Sequence, residues 1–175
     1  MSDAELTLAM IEQRRWQVVL LAPREKKPPL GRRWQVTNDP RVAGRHLRAD
    51  GNLGIVAGQP NGLAVLDPDE LLCWADMIDT LGQPCAPWVE TGRGRLHYYV
   101  AWELDLPAKL TWQAIIIGEI QRGPGQQQAV IPPSVHPNTG RPYRWLVDPA
   151  AEPLPELPGL WRAYLRAKVY AAGHR

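Results

Sequence analysis

The sequence has few cysteines and lacks membrane-spanning runs, internal repeats and a dinucleotide-binding motif, and each of these absences excludes a class of protein. Two cysteines, Cys73 and Cys85, occur among its 175 residues without metal-binding spacing, so we expect reduced thiols in a cytoplasmic protein. No apolar run approaches the length of a membrane span and no signal peptide opens the chain, so we expect no membrane partner. There is no internal repeat, and no G-x-G-x-x-G between a strand and a helix, which argues against a dinucleotide-binding fold.

What the chain does contain is typical of a globular protein with mixed secondary structure. Hydrophobic residues make up 45% and charged residues 22%, and the length suffices for one domain with a real core. Eighteen prolines divide the chain into short elements, in which helical and strand patterns do not strictly alternate. We therefore predict a single domain over residues 1–175 with an α+β fold and a largely antiparallel sheet.

Local patterns place the elements along the chain. Ser2 and Glu5 form a capping-box pattern that predicts a first helix to about Arg15. Two apolar runs separated by QPN, 52–58 and 62–67, predict a hairpin-like pair. The remaining predicted elements are helices at 39–47, 69–82 and about 156–172, strands at 16–23, 88–94, 95–102 and 114–121, and the segments 129–134 and 142–146 on either side of a Pro/Asn/Gly turn.

Positive charge is concentrated near the N-terminus. From Arg14 to Arg48 the chain carries ten lysines and arginines against two acids, although its net charge is only +2. Such a basic face could meet an anion, or it could be a solvated surface without a partner. Basic residues near Trp34 could track the phosphates of a nucleotide or a template strand. These candidate DNA-binding residues are Lys26, Lys27, Arg32 and Arg33.

The stretch LAVLDPDE ends an apolar run in two aspartates, Asp67 and Asp69. In an extended chain both side chains point to the same face, where like charges repel unless a cation neutralises them. The pair could therefore bind a metal ion. It could also be the acidic start of a turn, with Asp69 capping the helix that follows.

Further polar residues occur on later strands. His97 lies in TGRGRLHYY, where alternation puts it on one face with Tyr99, and Glu119 follows the apolar run 115–117. Three carboxylates at strand ends with a basic residue nearby are what two-metal phosphoryl transfer needs, because carboxylate oxygens suit Mg²⁺ or Mn²⁺. A glycine-rich turn such as TGRG also lets backbone N–H groups approach a phosphate. Taken alone, His97 could be a partly buried histidine and Glu119 an ordinary strand-end acid.

The order of these motifs resembles the bifunctional primase–polymerase (Prim-Pol) domain of the archaeo-eukaryotic primase superfamily. The matching stretches are LDPD, TGRGRLHYY, IGEIQ and VIPPSVHPNTGRPYRW, preceded by REKKPPLGRRW and NLGIVAGQPNGLAVLD. No single motif is specific, but their order and spacing together are, over roughly Trp16 to Trp161. The resemblance implies an archaeo-eukaryotic primase-like core, with a small N-terminal α/β module packed on an RNA-recognition-like, largely antiparallel sheet.

The same resemblance implies a template-dependent nucleotidyltransferase, a DNA primase and DNA polymerase. Asp67, Asp69 and Glu119 would hold two Mg²⁺ or Mn²⁺ ions, and a 3′-hydroxyl would attack the α-phosphate of a dNTP or NTP. His97 would join these acids as a catalytic residue by contacting the triphosphate. Together with His97, the candidate nucleotide-binding residues are Thr91, Arg93, Arg95, Arg122, Ser134 and His136.

The implied partners are a single-stranded DNA template and a primer. Family members often continue into a helical primase segment and a helicase, so we expect these parts to be fused or supplied in trans. The implied setting is replication of a plasmid, phage or mobile element.

Three positions depart from the family pattern. Pro68 stands between the aspartates where the family more often has an aliphatic residue, so Asp67 and Pro68 should lie at a strand end or edge. Arg95 replaces a commonly small residue, and it could contact a phosphate or point to solvent. Glu119 is one methylene longer than aspartate, a change that the family accepts.

Other interpretations stay open at this point. Ser134 and His136 could belong to an ordinary proline-rich turn, and Arg122 could be a surface residue. The whole protein could be a non-catalytic nucleotide or nucleic-acid binding module that kept the fold. It could also be a metal-dependent nuclease or phosphohydrolase, because the same metal ions would serve a water nucleophile.

Overall fold

The computed structural model describes residues 1–28, 33–123 and 127–173 of the chain. These residues form an α+β fold with two antiparallel sheets, which confirms the predicted fold class. None of the helices in the described ranges is long and apolar enough to cross a bilayer. The helices are α1 (Asp3–Arg14), α2 (Pro40–Arg48), α3 (Leu71–Leu81) and α4 (Gly159–Gly173). The strands are β1 (Val18–Leu21), β2 (Val36–Thr37), β3 (Asn52–Val56), β4 (Leu63–Pro68), β5 (Val89–Glu90), β6 (Leu96–Ala101), β7 (Lys109–Trp112), β8 (Ile115–Gln121), β9 (Gln128–Ile131) and β10 (Arg144–Trp145).

Local signals start and stop the helices where the sequence indicates. At α1 the Ser2 hydroxyl accepts a hydrogen bond from the Glu5 backbone N–H, and the Glu5 carboxylate accepts one from the Ser2 N–H, which confirms the capping box. α3 ends at Gly82 as predicted. α4 begins at Gly159, three residues later than predicted, directly after Pro158. The residue before a proline is disfavoured in helical conformation, so the helix starts beyond it.

The first sheet has four strands in the order β2-β1-β3-β9. Together with α1 and α2 it builds the first core, which also contains the side chains of Leu63, Val65 and Tyr99 from the second sheet. The two sheets therefore share one packed interior. Burial of this apolar surface is the main stabilising contribution to the fold.

The second sheet has six strands in the order β10-β5-β6-β4-β8-β7, so β4 lies between β6 and β8. Successive residues of β4 alternate between the faces: Leu63 and Val65 join the first core, whereas Ala64 and Leu66 join the second core. The second core is closed by α3 and α4. Its largest members beyond the sheet are Trp74, Met77, Trp161 and Leu165.

The predicted hairpin-like pairing of 52–58 with 62–67 is wrong. A turn is present, because Gly58 and Leu63 form an isolated bridge, but β3 pairs with β1 and β9 while β4 pairs with β6 and β8. Both strands are buried on both faces along almost their whole length. Such strands lie in the middle of a sheet and pair with a neighbouring strand on each side. A hairpin between β3 and β4 would give each of them only one of its two partners.

Gly118 allows β8 to approach β4 closely at the end of β4. It lies opposite Pro68, and a Cβ at this position would overlap the carbonyl oxygen of Asp67 and the Cα of Pro68. Both neighbours are backbone atoms, which have no rotamer to change. The close approach keeps Asp67 and Glu119 on adjacent positions of the two strands.

We predict that Gly118→Ala lowers the free energy of unfolding by about 1–3 kcal/mol, the usual cost of overpacking. This corresponds to a fall in Tm of about 2–12 °C for a chain of this size, measurable by thermal unfolding. The matched control is Gly159→Ala, because open space surrounds that position at the start of α4. Equal Tm values for the two variants would contradict this account of Gly118.

Candidate functional site

Four polar side chains lie side by side across the second sheet, on the face turned toward the first core. Cross-strand register pairs Asp67 of β4 with Glu119 of β8, and Glu119 with Lys109 of β7. On the other side of β4, Leu66 is opposite Tyr98, so His97 of β6 lies next to Asp67. Directly opposed residues of neighbouring strands share a face and interact. We refer to His97, Asp67, Glu119 and Lys109 as the acid–base row.

Each acid of this row contacts a basic partner. The Nε2 atom of His97 lies 3.4 Å from Oδ1 of Asp67, and Nζ of Lys109 lies 2.6 Å from Oε1 of Glu119. The second carboxylate oxygen of Glu119 accepts a hydrogen bond of 3.1 Å from the amide of Gln121. The row therefore places its two carboxylates next to each other in the middle, with a basic side chain at each end.

Asp69 extends the site beyond the end of β4. Its backbone N–H donates to the carbonyl of Ile117 at 2.7 Å, and its carboxylate lies 3.9 Å from a guanidinium nitrogen of Arg95. The residue that caps α3 is Glu70, and no described side chain makes a capping hydrogen bond there. Asp69 thus does not cap the helix. Pro68 is the last residue of β4, as predicted for a proline between the two aspartates.

Electrostatics favour ionised carboxylates in this site. Burial opposes the charge of Asp67, but the charge of His97 and its hydrogen bond, with Lys26 and Arg95, hold the pKa of Asp67 below its ordinary value. The hydrogen bond from Lys109 lowers the pKa of Glu119 despite partial burial. Both acids are therefore charged near neutral pH, as ligands of a divalent cation need to be.

Two lysines that precede β2, Lys26 and Lys27, lie close enough to interact with the same site. Burial and the nearby Arg93 hold the pKa of Lys26 below its ordinary value, against the attraction of Asp67 and Asp69. The charge of Lys27 also contributes to lowering the pKa of Glu119. Of the other two candidate DNA-binding residues, Arg33 is exposed, and Arg32 lies outside the described residues.

The TGRG turn is held by its own threonine. The Thr91 hydroxyl accepts hydrogen bonds from the backbone N–H groups of Arg93 and Arg95, at 3.3 and 3.1 Å. Thr91 is buried, so in this structure its side chain shapes the turn. The arginines on either side of Gly94 therefore have a fixed backbone close to the acids.

The loop PPSVHPNTG packs against this turn. Thr139 donates a hydrogen bond of 2.9 Å to the carbonyl of Gly92. A Cβ at Gly92 would overlap the backbone of Arg141 and the Cβ of His136, so only glycine permits this approach. The loop and the turn thereby form one side of the site.

Ser134 has a role inside the protein. Its hydroxyl accepts a hydrogen bond from the Leu53 N–H at 2.8 Å and donates one to the Leu53 carbonyl at 3.1 Å. Asn52, the residue before Leu53, makes a similar pair of bonds: its side-chain amide donates to the Val135 carbonyl and accepts from the Val135 N–H. These contacts anchor the loop to β3. Ser134 is almost fully buried, and its hydroxyl is used in joining the loop to β3.

His136 combines complete burial with an unused polar atom. Its Nδ1 accepts hydrogen bonds from the backbone N–H groups of Asn138 and Thr139, at 3.2 and 3.4 Å. This requires the proton on Nε2, which has no partner among the described residues. The ring stacks on Tyr143 with centroids 6.2 Å apart, and Tyr143 also lies 6.3 Å from the ring of His97.

Arg122 is separate from the acid–base row. Its guanidinium donates to the carbonyl of Gly123 at 2.8 Å, and its own carbonyl accepts from the indole N–H of Trp102. Together with Leu104 these residues line a different pocket, beside the turn that joins β3 to β4. The structure does not bring Arg122 to the acids.

Sequence reasoning missed three side chains that contact the site: Lys109, Gln121 and Tyr143. Lys109 and Gln121 reach Glu119 through strand pairing and same-face alternation, and Tyr143 reaches both histidines through the loop. The alternation within IGEIQ could have indicated Gln121. No local pattern identifies Lys109, because its strand could have paired elsewhere.

The donor set fits a hard divalent cation. Asp67 and Glu119 are opposed on one face, Asp69 follows two residues after Asp67, and carboxylate oxygens are what Mg²⁺ and Mn²⁺ prefer. Within the described ranges, no three His, Cys, Asp or Glu side chains are already gathered as ligands. Each carboxylate is instead within ion-pair distance of a basic side chain.

Fold and site together define an α+β protein that presents acids and bases on one sheet face, a surface suited to phosphates and metal ions. The family profile of the N-terminal domain of bifunctional DNA primase/polymerase, Prim-Pol, matches residues 7–160. The chain therefore belongs to the Prim-Pol family, which confirms the resemblance. Comparison with curated proteins gave no match. Membership supports a nucleotidyltransferase of the primase/polymerase type, and the roles of individual residues stay predictions.

We predict that His136 is neutral at pH 7 with its proton on Nε2. Burial, together with the charges of Lys26 and Arg93, holds its pKa below the ordinary value. Because the folded state takes up this proton less readily than the unfolded chain, His136 makes the stability depend on pH. The full free energy of unfolding is present above the pKa that His136 has in the unfolded chain, and part of it is lost as the pH falls through the lower pKa of the folded state.

Long-range ¹H–¹⁵N correlation spectra of the ¹⁵N-labelled protein distinguish the two ring nitrogens. A His136→Gln variant assigns the signal among the four histidines of the chain. An imidazolium, or a proton on Nδ1, at pH 7 would contradict the prediction.

Proposed function

We propose that this protein is a template-dependent nucleotidyltransferase that joins nucleoside triphosphates to a 3′-hydroxyl on single-stranded DNA. The observation that carries the proposal is the acid–base row, in a chain that belongs to the Prim-Pol family. Asp67, Asp69 and Glu119 would hold two Mg²⁺ or Mn²⁺ ions, which when bound stabilise the attacking and leaving oxygens. Replication is the process we infer for this chemistry.

The residues of the chain have distinct parts in this proposal. His97 lies next to Asp67, and its Nδ1 has no partner among the described residues, so the ring has hydrogen-bonding capacity left for a phosphate. His136 offers a buried Nε2–H donor on the opposite side of Tyr143. Arg93 and Arg95 carry positive charge on the TGRG turn. Fixed donors of this kind stabilise developing negative charge without reorganising.

The basic segment supports binding of a polyanion beside the acids. Lys26 and Lys27 both interact electrostatically with the site carboxylates. Lysines close to a catalytic centre can hold a template or primer phosphate, and such contacts weaken with salt. We therefore place the DNA strand on the side of the row nearest to these lysines.

The test is nucleotide incorporation on primed and unprimed single-stranded templates with Mg²⁺ or Mn²⁺. We expect wild type to extend a primer and Asp67→Ala/Asp69→Ala to lose at least about a hundred-fold in rate, because charge stabilisation of the transition state is removed. The matched control is Asp79→Ala/Asp105→Ala, which removes two exposed aspartates outside the row. Products on the unprimed template would add primer synthesis to extension.

Three outcomes would contradict the proposal. Incorporation that survives the double substitution would show that the aspartates are not required. Degradation of DNA without nucleotides would indicate a nuclease that uses the same acids. Binding of nucleotide and DNA by a well-folded wild type without any incorporation would favour a non-catalytic binding module.

A further inference from the structure

Each carboxylate that the proposed function assigns to metal ions has its own basic partner in the described structure. Asp67 contacts His97, Asp69 contacts Arg95 and Glu119 contacts Lys109, at 3.4, 3.9 and 2.6 Å. The last pair is the shortest. A cation that approaches these acids therefore meets positive side chains already in place.

Lys109 and Gln121 together occupy both oxygens of Glu119. Lys109 reaches one oxygen from β7, and the amide of Gln121 reaches the other from the same strand as Glu119. Register shows that Lys109 is directly opposite Glu119, so the contact follows from the strand pairing. A divalent ion bound to Glu119 would have to displace the ammonium group or share the carboxylate with it.

Such displacement is feasible because the pair is near solvent. The side chains of Lys109 and Glu119 are 54% and 49% exposed. Exposed ion pairs contribute little to stability, and lysine has a flexible stem that can move its charge by several ångströms. The ammonium group would nevertheless repel a divalent ion as long as it stays near Glu119.

We propose that Lys109 is a positioning residue that competes with the divalent cation for Glu119 and becomes a partner of the triphosphate once the cation is bound. This inference rests on the proposed function and specifies the order of binding. The free protein binds the ion weakly, and the ion binds tightly together with a triphosphate, whose negative charge gives the displaced ammonium a new partner. By linkage, each ligand then increases the affinity for the other by the same factor.

The experiment measures Mn²⁺ binding to the full chain by the loss of the free Mn²⁺ signal in electron paramagnetic resonance. Titrations use wild type, Lys109→Met, Lys109→Arg and the charge-matched control Lys168→Met, whose lysine packs on Tyr164. Each is repeated with a deoxynucleoside triphosphate carrying an α,β-methylene group, which prevents turnover. Thermal unfolding checks that every variant is folded.

We expect Lys109→Met to bind Mn²⁺ without nucleotide roughly five-fold more tightly than wild type, because a competing positive charge is removed. Lys109→Arg and Lys168→Met should stay within about two-fold of wild type. The gain in Mn²⁺ affinity caused by the triphosphate should be smaller in Lys109→Met than in wild type. A purely structural role of Lys109 does not raise metal affinity when the residue is removed.

Unchanged or weaker Mn²⁺ binding by folded Lys109→Met overturns the inference. Two further variants, Asp67→Asn and Glu119→Gln, separate this result from failure of the proposed function. If they abolish Mn²⁺ binding while Lys109→Met has no effect, only the role of Lys109 is lost. If wild type shows no binding that depends on these acids, even with the triphosphate, the metal site itself is wrong.

Discussion

The pairing of β4 with both β6 and β8 is the constraint on which the rest of the site depends. It sets Asp67 between His97 and Glu119, on the face of the sheet opposite to α3 and α4. A shift of one residue would turn Asp67 toward the second core and replace it with an apolar neighbour. The same register buries Leu63 and Val65 in the first core. Packing of the apolar residues therefore holds the acids in place.

Charge balance is the second requirement of this arrangement. Three carboxylates close together near the end of β4 would repel one another, and each basic partner reduces that repulsion. The partners come from β6, β7 and the TGRG turn, so several elements contribute to neutralising a single site. The Lys109–Glu119 and Arg95–Asp69 pairs are the more exposed ones, and exposed pairs contribute little to stability, which suits a site where ions and phosphates replace protein contacts.

The loop from Pro132 to Tyr143 connects the two sheets around the site. Ser134 and the residue after it bond to β3 of the first sheet, whereas Thr139 bonds to the TGRG turn of the second. His136 and Tyr143 lie between these attachments and continue the aromatic contact to His97. Polar contacts at both ends explain why a proline-rich loop can hold a histidine in a buried position.

Much of the fold could be predicted from local patterns, because they act within a few residues. The capping box at Ser2, the stop at Gly82 and the alternation of His97 with Tyr98 depend on neighbours in the chain, and each is present in the structure. The order of LDPD, TGRGRLH and IGEIQ was enough to identify the family. The pairing of β3 with β4 was predicted incorrectly, since apolar runs do not carry the identity of their partner strands.

Which side chains meet was decided by tertiary structure. Lys109 reaches Glu119 because β7 and β8 pair in one register, and Arg122 is excluded because it lies beside Trp102. The amino-acid sequence by itself determined the elements, the alternation of their faces and the acidic and basic residues available. Only the fold selected which of those residues share a site, because strand register and loop attachment join positions that are far apart in the chain.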